Sequence, residues 1–210
     1  MIHAFGWAAL AVLGAYLALF FWGGLLAARA TGRPIWLFAH VTGRDRMAAF
    51  GFRAAFPLAF LGPLLWMTVP VLHKSDPLWT EGRLPLLGSA GVALAAVGAM
   101  LAFAAQMSMG ASWRVGVRQG ETGALVQGGL FRFSRNPTFL GQLILLSGVA
   151  LAIPALPTLA AVLLFFWSAQ VQIKSEEQAR ASSHGAAYHA FAWAVPRWIG
   201  LPERKGQERA

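Results

Sequence analysis

Not one of the 210 residues is a cysteine. A disulfide framework, a thiolate nucleophile and a cysteine-type zinc site are therefore excluded, and the chain carries no sign of its redox compartment. Charge is scarce as well: 12% of the residues are charged and 57% are hydrophobic, far from the composition of a soluble globular domain. No G-x-G-x-x-G or G-x-x-x-x-G-K-[ST] string occurs, so neither a Rossmann dinucleotide site nor a P-loop is supported. The histidines form no H-E-x-x-H. His184 and His189 are five apart, a poor helical ligand spacing, and His3, His40 and His73 lie in different segments, so no metal centre is expected. The net charge of +9 comes from basic residues scattered between apolar runs. That pattern fits orientation in a membrane better than binding to nucleic acid.

What the chain does have is apolar length. A spanning helix needs ~20 mostly apolar residues, because its backbone polar groups must be bonded within the segment. Ile2 to Ala28, Ala54 to Leu72 and Leu84 to Met107 meet that length. The first of these is too long for a signal-peptide core and lacks a basic leading region, so it reads as a retained helix. A fourth apolar region, Thr138 to Ile173, is too long for one span and is interrupted by "IPALP" at Ile153 to Pro157. Two prolines three residues apart remove two amide donors and disfavour helix before each, which predicts a tight helical hairpin. The expected fold is all-α: a polytopic membrane protein with five transmembrane helices, the last two a short hairpin, followed by a cytoplasmic C-terminal helix.

The charges give this count an independent check through the positive-inside rule. The connection 29–53 carries Arg29, Arg33, Arg44, Arg46 and Arg53 against Asp45, and the connection 108–137 carries Arg114, Arg118, Arg132 and Arg135 against Glu121. Both are expected inside. Lys74 and Arg83 are balanced by Asp76 and Glu81, and "IPALP" has no charge; both turns are expected outside. Alternation then predicts an outer N-terminus and a cytoplasmic C-terminus, in a bacterial inner membrane.

Two polar stretches stand out, both on the expected cytoplasmic side. One runs from Gln106 to Pro137 and ends in "FRFSRNP"; the other is "KSEEQARASSHGAAYHAFAWAVPRW", Lys174 to Trp198. A short hairpin must bring them together. Each also has a plainer reading. Asn136 suits a helix cap, Pro137 suits the first helical turn, and Arg132 and Arg135 suit interfacial anchors. Glu176 and Arg180 suit a helix-surface pair, and Tyr188, Phe191 and Trp193 suit an interfacial aromatic belt.

Taken together, the run "LVQGGLFRFSRNPTFLGQLILLSGVAL" and the run "EEQARASSHGAAYHAFAWAVPRW" resemble the C-terminal half of the integral-membrane methyltransferases related to isoprenylcysteine carboxyl methyltransferase and phospholipid N-methyltransferases. The residues that carry the resemblance are Gly129, Phe131, Arg135, Asn136, Pro137, Phe139 and Gly141, then Glu176, Glu177, Gly185, Tyr188, Phe191, Val195, Pro196 and Arg197. There are departures: the family's histidine before the proline is Asn136, its tyrosine after it is Phe139, the leucine of the glutamate motif is Arg180, and the second aromatic of the later pair is Phe191. Asparagine donates and accepts hydrogen bonds but carries no proton charge, so any role needing imidazolium is excluded at that position.

The resemblance implies S-adenosylmethionine as cofactor and a lipid or small hydrophobic acceptor bearing a carboxylate, amine or thiol, with no metal and no nucleic acid. It divides a single structural unit into an N-terminal three-helix membrane region, 1–105, and a cofactor-binding catalytic region, 106–210. It implies catalytic roles for Arg135, Glu177 and Arg197, and cofactor contacts from Asn136, Pro137, Phe139, Leu140, Gly141, Glu176, Glu177 and Tyr188. Gly141 and Gly148, seven apart, would admit close approach by the cofactor or by a neighbouring helix. Two other classes stay open at this point: an NADPH-dependent membrane reductase of the sterol-reductase type, and a non-catalytic membrane scaffold.

Overall fold

A computed structural model describes residues 2–32, 43–79, 85–113 and 125–200. Among them there are helices and no strands: α1 (Ile2–Thr31), α2 (Gly43–Thr68), the short α3 (Pro70–Lys74), α4 (Pro85–Met109), α5 (Pro137–Ala152) and α6 (Leu156–Ala194), with 3₁₀ turns at Gly110–Ser112 and Gly129–Arg132. By length and composition α1, α2, α4 and α6 can each cross a membrane. The fifth helix, α5, has 16 residues, about 24 Å of rise, and is shorter than the other four. Of the charged residues used above to orient the chain, Arg33, Glu81, Arg83, Arg114, Arg118 and Glu121 lie outside the described residues.

Two boundaries differ from expectation. The second span begins at Gly43 and ends at Thr68, where Val69 turns extended ahead of Pro70; the residue before a proline is driven out of the helical region. Pro57 and Pro63 lie within the helix itself, as spanning helices tolerate when neighbours repair the ladder. The hairpin is also asymmetric. Its turn falls at residues 153–155, as "IPALP" predicts, but the second arm runs on through Ile173 to Ala194 and absorbs the expected C-terminal helix. Inside it, Gly185 adopts φ 50°, ψ −126°, a left-handed conformation that only glycine takes without strain. There the chain changes direction.

Small residues set the tightest packing. Antiparallel α4 and α5 are so close that a Cβ on Gly98 would strike the backbone of Leu145 and Gly141, and a Cβ on Gly141 would strike that of Ala102 and Gly98. One heptad further, Gly148 meets Ala95 and Gly91, and Gly91 meets Ala152 and Gly148, in the same reciprocal way. Small-residue contacts of this kind drive helix association where lipid removes the hydrophobic incentive. The register they impose puts Gln106 of α4 level with Pro137 at the start of α5.

Buried polar groups tie the other helices in, as low-dielectric surroundings demand. Gln142 Nε2 donates to the Tyr16 hydroxyl at 2.6 Å, Gln106 Nε2 to the Phe20 carbonyl at 2.9 Å, and Gln172 Nε2 to the Ala48 carbonyl at 3.2 Å. At the hairpin turn, the Asp76 carboxylate accepts from Trp66 Nε1 (2.6 Å), the Leu78 amide (2.8 Å) and the Leu156 amide (2.7 Å). It thereby anchors the connection after α3 to the first turn of α6, where a negative charge also suits the helix dipole.

Candidate active site

The polar end of the molecule is assembled by a backbone reversal. After Gly185 the last part of α6 folds back, so that Tyr188, Phe191 and Val195 bury against Phe131 in a small apolar core separate from the main one. This core holds the 3₁₀ turn before α5 against the last turns of α6 and the residue that follows them. The strap Val195–Gly200 is then laced across the mouth of α5: the Arg135 amide donates to the Pro196 carbonyl (3.0 Å), Asn136 Nδ2 to the Arg197 carbonyl (3.1 Å), and the Gly200 amide to the Phe133 carbonyl (3.1 Å).

Glu177 sits at the centre. Its Oε1 takes Arg197 Nε at 3.0 Å and Arg135 Nη2 at 3.3 Å, and its Oε2 takes Arg197 Nη2 at 2.6 Å. The Arg197 contact is the bidentate fork that guanidinium and carboxylate favour. That hydrogen bond to Glu177 raises the Arg197 pKa above its already high ordinary value, so the guanidinium stays charged throughout the working range. Arg135 also donates from Nη1 to the Tyr188 hydroxyl at 3.4 Å. Arg135, Asn136, Glu177, Tyr188 and Arg197, which are far apart in sequence, thus form one connected network.

Asn136 occupies the N-cap position of α5 with Pro137 behind it, as a helix start requires, yet its side chain makes no capping bond. Its amide nitrogen is committed to Arg197 and its Oδ1 is left buried with no partner. Two neighbours share that condition: Arg135 Nε and Thr138 Oγ1 are also buried and unpartnered. Asn136 and Thr138 are 4% and 8% exposed. Three orphaned polar atoms within four residues, at a helix mouth with its first amides uncapped, are costly unless something else bonds them.

The other expected site residues take no part in this hydrogen-bonded network. Glu176 pairs with Arg180 at 2.7 Å, the i,i+4 pairing that spacing allows, but the pair is largely buried rather than on an open surface, and burial pushes the Glu176 carboxyl above its ordinary value. Phe139 lies in an aromatic cluster 6.1 Å from Phe52 and 6.5 Å from Phe165. The open side of Gly141 is filled by α4. Pro137 is buried at the first turn, and Leu140 is half-buried. Sequence reasoning missed Ser134 and Thr138. Ser134 is buried, accepts the Asn136 amide at 3.0 Å and reaches the Arg197 carbonyl at 3.5 Å. Its place two residues before an asparagine was the available signal, since a hydroxyl there favours a local turn.

Residues 87–186 match the family model described as phospholipid methyltransferase. The match covers 100 of the 210 residues and is consistent with an integral-membrane methyltransferase family. The matched region takes in nearly all of α4, α5 and α6 as far as Ala186, and with them Arg135, Asn136 and Glu177; Tyr188 and Arg197 lie just beyond it. Comparison with curated proteins and with solved structures gives no significant match.

Proposed function

We propose that the protein transfers a methyl group from S-adenosylmethionine to a lipid or small hydrophobic acceptor at the membrane interface. The observation that carries this reading is the set of orphaned atoms around Pro137. Arg135 Nε is an unused donor suited to a carboxylate, whereas Asn136 Oδ1 is an acceptor and Thr138 Oγ1 a hydroxyl suited to an ammonium. Together they complement the zwitterionic amino-acid end of the cofactor, so the residues present fit the group.

When bound, the cofactor supplies an already activated methyl on a sulfonium centre. The chain's own work is positioning. Arg135 and Asn136 hold the amino-acid end against α5; Glu177 keeps both arginines oriented; the Arg197 guanidinium, 43% exposed, presents positive charge to an acidic or phosphate-bearing acceptor. Lateral entry between helices fits an acceptor with an apolar tail. The acceptor's reacting group can be a carboxylate, an amine or a thiol, and the methyltransferase family match favours this chemistry over hydride transfer.

Calorimetry with S-adenosylmethionine and S-adenosylhomocysteine on the detergent-solubilised protein tests the cofactor, and transfer of labelled methyl into a lipid extract tests the reaction. Saturable heat with both compounds and label in the lipid fraction are expected. No heat with either compound would overturn the proposal.

A further inference from the structure

Two adjacent side chains of the strap Val195–Gly200 part company. Arg197 reaches Glu177, but Trp198 stacks on Phe166 with ring centroids 6.0 Å apart and planes 23° from parallel. Phe166 lies three helical turns before Glu177, about 16 Å back along α6 toward the hairpin turn. It belongs to no polar surface. Leu159, Leu163, Phe166 and Trp167 are all exposed, Phe166 by 42%, and their spacing puts them on one stripe of a helix apolar enough to span. On an integral membrane protein such a stripe faces acyl chains.

The exposed apolar surface does not end with the helix. Ile199 is 70% exposed, and Phe133, whose carbonyl holds the Gly200 amide, is 47% exposed. The lipid-facing side of α6 therefore continues, through the Phe166–Trp198 stack, onto a segment that is not helical. Such backbone is tolerated at membrane depth only where its polar groups are bonded within the protein. This strap meets that condition, because the Pro196 and Arg197 carbonyls and the Gly200 amide all have partners in the turn before α5.

We propose that the strap is a membrane-inserted element: Trp198 and Ile199 enter the acyl-chain boundary of the leaflet on the site's side, while Arg197 stays at the polar level and engages Glu177. Its partner is the lipid of that leaflet. The bilayer then helps to hold Arg197 in place, because the same six residues contact lipid on one side and close the mouth of α5 on the other. This inference does not depend on which cofactor or acceptor the site takes.

The lack of native cysteine makes the test direct. Single variants Ile199→Cys, Leu163→Cys and Ser183→Cys are spin-labelled and reconstituted in phosphatidylcholine nanodiscs, and collision with oxygen is compared with collision with a water-soluble nickel chelate. Ser183 is an exposed polar residue beyond Glu177 and reports water, whereas Leu163 reports lipid. The label at position 199 is expected to favour oxygen as the one at 163 does. Chelate accessibility equal to that at 183 would overturn the proposal. Should Ile199→Cys not yield monodisperse protein, Phe133→Cys decides by the same criterion.

Discussion

Arg197 meets Glu177 side-on, Nε to Oε1 at 3.0 Å and Nη2 to Oε2 at 2.6 Å, while Arg135 reaches the same carboxylate from α5 at 3.3 Å. One acid thereby joins the long last helix, the strap that follows it and the mouth of α5. Replacing Glu177 with Gln leaves two guanidiniums competing for a neutral amide. Methyl transfer is expected to fall by ~10²-fold or more, since misplacement by an ångström is enough for that, with the detergent-solubilised protein still monodisperse. Arg197→Ala should do the same. Near-normal turnover in both would remove these residues from the mechanism.

Asn136 tests the proposed cofactor contact separately from the acid. Asn136→Leu keeps the volume but removes both the bond to the Arg197 carbonyl and the free Oδ1. Calorimetric affinity for S-adenosylhomocysteine should weaken by ~10-fold or more, as befits the loss of a buried hydrogen bond worth ~1–3 kcal/mol. Unchanged affinity would mean that Oδ1 does not contact the cofactor.

These residues mark how far the sequence could be read. The helical class, the apolar spans and the hairpin turn were legible, because bilayer thickness and proline chemistry constrain them directly. The joining of "SRNP" to the glutamate stretch followed from the hairpin and the family likeness. What could not be read was which glutamate joins the arginines of the strap and α5: Glu176 and Glu177 are neighbours in sequence and similarly buried, and only the packing of α6 against α2 and α5 turns one toward Arg180 and the other toward Arg197. Nor was the length of α6 legible, since its polar continuation past Ile173 lacks the apolar signal that marks a span.

The α4–α5 seam carries a stability prediction. Gly98→Val forces a branched side chain onto the backbone of α5, and overpacking of this kind costs ~1–3 kcal/mol or more. A marked fall in the melting temperature is expected by thermal unfolding in detergent. Gly128→Ala is the control: nothing lies within 4 Å of the added carbon, so the same measurement should barely move.

Tyr16 and Gln142 form a buried pair, and breaking it from one side should be worse than removing it altogether. Tyr16→Phe leaves the Gln142 amide unmatched in a dry interior, a cost of ~1–3 kcal/mol, whereas Tyr16→Phe with Gln142→Leu should recover part of the loss. Additive effects in that double-mutant cycle would show that the two side chains are not coupled.

At the opposite end, Asp76→Ala strips three donors of their acceptor at once. The melting temperature should drop while affinity for the methyl donor in the cold stays close to normal. His73→Ala, which loses a stack on Trp79 and a bond to the Trp66 carbonyl far from Glu177, should leave turnover nearly untouched. A large loss of donor affinity from Asp76→Ala would mean that the two ends of the molecule communicate.

The interlocking glycines of α4 and α5 act as a fixed gauge. Because each bare position is met by its counterpart's main chain at two levels a heptad apart, neither helix can slide by a residue without collision, and the level at which Asn136 sits against α4 is decided in the hydrophobic interior by residues that lie away from the polar network. A thicker or thinner bilayer would then have to adapt to the protein, because this pair cannot shift to follow it.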